Sequence, residues 1–128
     1  MSKLRLAFTA PVLAALAFAG SAQAHTKLVS SSPAANATVA KPGRVVLTFN
    51  EKVMANFTGA TLAMTSMPGM ANHRPMAITG FTSAMSADGK KLTLTMRRAL
   101  TAGTYQLKWH AGGADTHRME GTLSFTVR

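Results

Sequence analysis

Gly121-Thr122-Leu123-Ser124-Phe125-Thr126-Val127-Arg128 alternates apolar and hydroxyl side chains without a break. Side chains on an extended chain point to opposite faces with a period of two. Leu123, Phe125 and Val127 therefore share one face, and Thr122, Ser124 and Thr126 share the other. That pattern predicts a strand with one buried side. It recurs upstream. Val45, Leu47 and Phe49 alternate within Arg44 to Asn50, Leu92, Leu94 and Met96 within Lys91 to Met96, and Tyr105, Leu107 and Trp109 within Thr104 to His110. Weaker versions occupy Thr26 to Ser31, Ala60 to Thr65 and Ala77 to Thr82. Turn chemistry separates the runs at Lys41-Pro42-Gly43, Asp88-Gly89 and Ala102-Gly103. No convincing helical stripe interrupts them. About seven short strands of this kind predict an all-β fold, an antiparallel Ig-like Greek-key sandwich or barrel. Tyr105, just after Ala102-Gly103-Thr104, is placed for a corner tyrosine whose hydroxyl bonds backbone.

The first 24 residues read differently. Lys3 and Arg5 precede an apolar run from Leu6 to Phe18, and Ala22-Gln23-Ala24 closes the segment. A positive start, a short apolar core and a small-x-small ending predict a cleaved signal peptide, and Pro11 and the shortness of the run argue against a membrane anchor. Residues 1–24 are thus expected to be removed, leaving a single domain over 25–128 that begins at His25 and works in the bacterial periplasm.

Composition narrows the chemistry. The chain has 128 residues, 47% of them hydrophobic, enough for an ordinary core. It has no cysteine, which excludes disulfides, thiolate metal sites and a cysteine nucleophile. Lys and Arg number 14 against 4 Asp and Glu, a formal charge of +10. The basic residues are scattered and not clustered with aromatics, so nucleic acid is not an expected partner.

Nine methionines are many for this length. Met64, Met67, Met70, His73 and Met76 recur every third residue. Pro68-Gly69 and Pro75 forbid a regular helix through them. Thioether sulfur is soft, needs no deprotonation and suits Cu(I). The competing reading is a flexible hydrophobic patch or part of the core.

A second group is nitrogen and oxygen. Once residues 1–24 are removed, His25 carries a free α-amine beside its imidazole, a pair able to chelate one ion; nitrogen donors of this kind suit Cu(II). In Asp115-Thr116-His117 the carboxylate and imidazole lie two apart and face one side of an extended chain. Glu51, at the end of the first strong strand, is a further oxygen ligand or a partner that orients one. The plainer alternatives are a frayed first residue, a turn-capping aspartate, a surface histidine and a solvated edge glutamate.

At this point the chain resembles the CopC/PcoC family of periplasmic copper-resistance proteins. His25-Thr26-Lys27-Leu28 followed by Ser31-Ser32-Pro33 is similar to the family's mature start. Phe57-Thr58-Gly59-Ala60, Met64-Thr65-Ser66-Met67-Pro68-Gly69-Met70, His73 and Pro75-Met76 resemble its methionine loop. Leu100 to Trp109 and Asp115-Thr116-His117 resemble its last third. The resemblance implies copper, Cu(II) and Cu(I), bound at opposite ends of a Greek-key sandwich. His25, Asp115 and His117 would form the Cu(II) site, with Glu51 participating, and Met64, Met67, Met70, His73 and Met76 would supply the Cu(I) site. It further implies a carrier or sequestering role, as a monomer or copper-bridged dimer, with a CopD-like inner-membrane protein or a CopA-like multicopper oxidase as partner. The chain departs from the pattern in three places, at Gly112-Gly113-Ala114, at Arg118 and at His110, the last a competing ligand.

Two other functions remain open on sequence alone. An N-terminal histidine brace also serves copper oxygenases that act on polysaccharides, but this chain has one Trp and one Tyr for a binding face. A metal-free cationic module of an envelope complex would also account for the charge, which would draw acidic partners or anionic lipid heads.

Overall fold

The computed structural model describes residues 26–70, 74–114 and 117–128. Its strands are β1 (Leu28–Ser32), β2 (Thr38–Val39), β3 (Arg44–Phe49), β4 (Gly59–Ser66), β5 (Met76–Ile78), β6 (Phe81–Met85), β7 (Lys91–Met96), β8 (Gly103–Gly112) and β9 (Arg118–Val127), with one 3-10 turn at Ala55–Phe57. They form two sheets, one ordered β1-β3-β7-β6 and the other β2-β9-β8-β4-β5. All pairings are antiparallel except β2 with β9. The chain changes sheet on either side of β2, and again between β3 and β4, between β5 and β6, and between β7 and β8. The result is the expected sandwich with Greek-key crossings rather than an up-and-down meander.

The strand count exceeds the expected seven, for two reasons. The short β2 adds a parallel edge beside β9. The run Ala77 to Thr82, expected as one strand, is split: Ile78 ends β5 opposite Leu62, and Phe81 begins β6 opposite Met96 in the other sheet. Thr79-Gly80 makes the crossing, and Gly80 accepts the Arg97 amide at 2.8 Å.

The alternating faces meet in the middle. Val45, Leu47, Phe49, Leu92, Leu94 and Met96 from one sheet pack on Leu62, Tyr105, Leu107, Trp109, Leu123, Phe125 and Val127 from the other. Phe49 and Trp109 meet edge to face across the sheets at 5.5 Å, and Tyr105 stacks on its cross-strand neighbour Phe125 at 5.6 Å. The Tyr105 hydroxyl donates to the Thr101 carbonyl at 2.7 Å, the corner expected for it. The chain's single Trp and single Tyr are therefore core residues. Among the described residues, no helix is long and apolar enough to cross a membrane.

The register sets the two ends of the molecule. Gly59 of β4 lies opposite His110 and Ser66 opposite Thr104. Seven residues of strand span about 23 Å, so what β4 and β8 carry at Ser66 and Thr104 is that far from what they carry at Gly59 and His110.

Candidate metal centres

At the Gly59–His110 end, three segments converge. Thr26 is only 3% exposed, and its hydroxyl donates to Glu51 Oε1 at 2.6 Å. Beside it, the Lys27 amide donates to Asn50 Oδ1 at 2.8 Å and the Asn50 amide to the Lys27 carbonyl at 3.0 Å. These bonds fasten the chain immediately after His25 to the end of β3. The segment that follows Glu51 is fastened in turn to β8. The Met54 amide donates to the Gly112 carbonyl at 2.8 Å, and the Phe57 side chain lies so close over Gly112 that a Cβ there would come within 2.8 Å of it. Gly112 is opposite Arg118 in the β8–β9 ladder, so β8 ends and β9 begins at this end of the sandwich, with His117 just before β9. Glu51 and the exposed His117 thus belong to one end of the sandwich, together with the point at which the chain departs toward His25. His25 and Asp115 themselves lie outside the described residues. Among the described residues, no three His, Asp or Glu side chains form a metal-sized group.

His110 stands apart from this convergence. It lies opposite Gly59 and Glu120 in the ladders, on the outer face of its sheet. Its imidazole covers Gly59, with Cε1 at 3.0 Å from where a Cβ would stand. Next to it Arg118 Nε pairs with Glu120 Oε1 at 2.8 Å.

At the other end the methionines are drawn into two pairs. Met64 of β4 is directly opposite Met76 of β5, which puts their Cβ atoms ~5 Å apart on the same face. Met67 and Met70 bridge each other across Pro68-Gly69, exchanging amide–carbonyl bonds of 3.0 and 3.4 Å. Gly69 has φ +81°, the value the third position of a type II turn demands after a proline. The four sulfur side chains differ in burial. Met64 is 7% exposed and part of the core, Met67 packs against it, and Met70 and Met76 are 55% and 52% exposed. His73 lies outside the described residues.

A strand with methionines three apart should send Met64 and Met67 to opposite faces. A bulge prevents this. The β4–β8 register shifts between Met64 and Ser66, so one residue of β4 is left over and the alternation resets. Both side chains then reach the core side. Gly103 makes room for the bulge: with φ +155° it brings its backbone so close that a Cβ would sit 2.5 Å from the Ser66 carbonyl oxygen.

Residues 28–128 match the model of the CopC domain. The chain belongs to the CopC family. Copper resistance protein C of Xanthomonas campestris pv. juglandis is 45% identical over 123 residues, which cover 96% of this chain and 95% of that protein. Among solved structures, PcoC, a methionine-rich copper resistance protein from Escherichia coli, superposes with a TM-score of 0.74 at 40% identity, over 82% of this chain and all of that one. CopC from Methylosinus trichosporium OB3b is similar at 28% identity and a TM-score of 0.61, over 80% of this chain and 93% of that one. The all-β sandwich expected from alternation is thus the CopC fold.

Two residues of the oxygen-bearing end escaped the sequence reading: Thr26 and Asn50. Nothing in a single sequence pairs Thr26 with a carboxylate 25 positions away; only the β1–β3 ladder does so.

Proposed function

We propose that this chain is a non-enzymatic, periplasmic copper-binding protein that carries or sequesters copper for resistance or homeostasis, with copper as its cargo. Membership of the CopC family supports the copper reading. The observation that carries the finer one is the separation of donors: methionines gathered at one end of the β4–β8 ladder, carboxylate and imidazole residues at the other. Soft thioethers favour Cu(I), and nitrogen with oxygen favours Cu(II).

On this reading Met64, Met67, Met70, Met76 and His73 hold Cu(I). His25, through its amine and ring, holds Cu(II) with Asp115 and His117. Glu51 acts chiefly as a positioning residue, because its carboxylate grips Thr26, the neighbour of His25. The signal peptide ends at Ala24, so that the α-amine of His25 is available. A CopD-like membrane protein or a CopA-like multicopper oxidase then receives or supplies the ion.

Equilibrium dialysis of the 25–128 chain against copper in each oxidation state tests this. The reading requires one ion of each kind, bound without competition between them. Retention of neither ion would overturn it.

A further inference from the structure

We propose that the methionine end of the sandwich is a docking surface for an acidic segment of a partner protein, held by an arginine-rich rim. The charges look scattered along the sequence, but the fold sorts them. Lys41 and Arg44 flank the turn into β3, whose Gly43 carbonyl accepts the Met96 amide at 2.9 Å. Arg97 and Arg98 follow Met96 directly, and Arg74 precedes β5 beside the methionines. All five are exposed. No acidic side chain joins them among the described residues. Glu51, Asp88 and Glu120 all belong to the opposite half, where the Val53 amide bonds the Gly89 carbonyl, the Met54 amide bonds the Gly112 carbonyl, and Glu120 faces His110. Among the described side chains, the charges at one end are therefore all cationic, and those at the other are mixed.

The residue types differ as well as the sign. With Arg128, which follows β9 where Val127 lies opposite Gly103, five of the six described cations at the methionine end are arginine, whereas at the mixed end Arg118 stands among Lys27, Lys52, Lys90 and Lys91. Guanidinium is weakly hydrated and presents a fork that matches a carboxylate in two parallel hydrogen bonds. A pocket of about 410 Å³ opens beside Arg97 and Arg98, floored by Ile78, Leu100 and Thr101. Forks beside a partly apolar pocket suit glutamate and aspartate side chains presented with their aliphatic stems on a peptide. Long-range steering by the same charges would speed encounter and make it salt-sensitive. This inference does not rest on copper binding, although a partner seated here would stand next to Met70 and Met76.

The test uses metal-free 25–128 chain and a deca-glutamate peptide as probe, with vesicles of phosphatidylglycerol and phosphatidylcholine as a second arm. The peptide should bind, and its affinity should fall steeply as salt rises from roughly 50 to 300 mM. Arg97→Ala with Arg98→Ala should weaken it about tenfold. Arg97→Lys with Arg98→Lys, which keeps the charge, should still cost several-fold. Lys90→Ala with Lys91→Ala, the same charge removed from the other end, should change it less than about twofold. Failure of the peptide to bind at low salt, equal losses from both alanine pairs, or Arg97- and Arg98-dependent vesicle binding without peptide binding would each overturn the proposal.

Discussion

Thr26 donates its hydroxyl to the Glu51 carboxylate at 2.6 Å, tying together two points 25 residues apart, one just before β1 and one just after β3. Thr26 is buried, and the bond has a carboxylate as acceptor, so it is of the stronger kind. It fixes the direction in which the chain leaves toward His25. Thr26→Val keeps the shape and removes the donor. It should cost about 1.5–3 kcal/mol in urea unfolding and should weaken Cu(II) binding several-fold while leaving Cu(I) binding unchanged. Glu51→Gln, which still accepts a hydrogen bond, should be milder on stability.

The methionines should divide by burial. Met70→Leu and Met76→Leu alter exposed side chains, so each should lower Cu(I) affinity with stability changed by less than about 0.5 kcal/mol. Met64 belongs to the core, and Met64→Ala should cost about 2–5 kcal/mol. Met64→Leu conserves volume and should cost under about 1.5 kcal/mol, which makes it the variant that isolates the sulfur. Cu(I) competition titrations read the affinity, and urea melts read the stability.

Gly121 lies beneath the Trp109 indole, so that a Cβ there would sit 2.6 Å from Cζ2. Gly121→Ala must displace the ring or the β8–β9 ladder. We expect a loss of about 1–3 kcal/mol and a shift in tryptophan emission, with copper stoichiometry unaltered.

Asp88 supplies a pH signature at the β6–β7 turn. The Ser86 hydroxyl above all, then the Lys90 amide, bond its carboxylate, and the Lys90 and Lys91 charges add to them; together they hold its pKa below the ordinary aspartate value. A carboxyl whose folded pKa is depressed contributes stability that is complete above its unfolded value and is lost as pH falls through the folded one. Asp88→Asn should therefore be less stable than the parent at neutral pH, and the gap should narrow toward pH 3. A gap constant from neutral to acid pH would contradict the assignment.

Much of the fold was legible because alternation is local. Val45, Leu47 and Phe49, or Leu123, Phe125 and Val127, announce a buried face without knowledge of their neighbours, and all six are core residues. The methionine spacing was legible as unusual but not as geometry. Met64 and Met67 share the core side only because Gly103 admits a bulge from a strand some 37 positions away. The split of Ala77 to Thr82 was hidden for a similar reason: the crossing at Thr79-Gly80 depends on Arg97 from another connection. The arginine rim was invisible for the plainest reason, since Arg44, Arg74 and Arg97 come together only after the sheets form.

The account depends most on a histidine amine standing at the start of the working chain. Spectroscopic Cu(II) titration of the 25–128 chain should be compared with the same chain carrying one extra alanine before His25. The account predicts that the extension weakens Cu(II) binding at least about tenfold and changes the ligand-field spectrum, while Cu(I) binding stays as it was. Identical Cu(II) affinity and spectra for the two chains would contradict it.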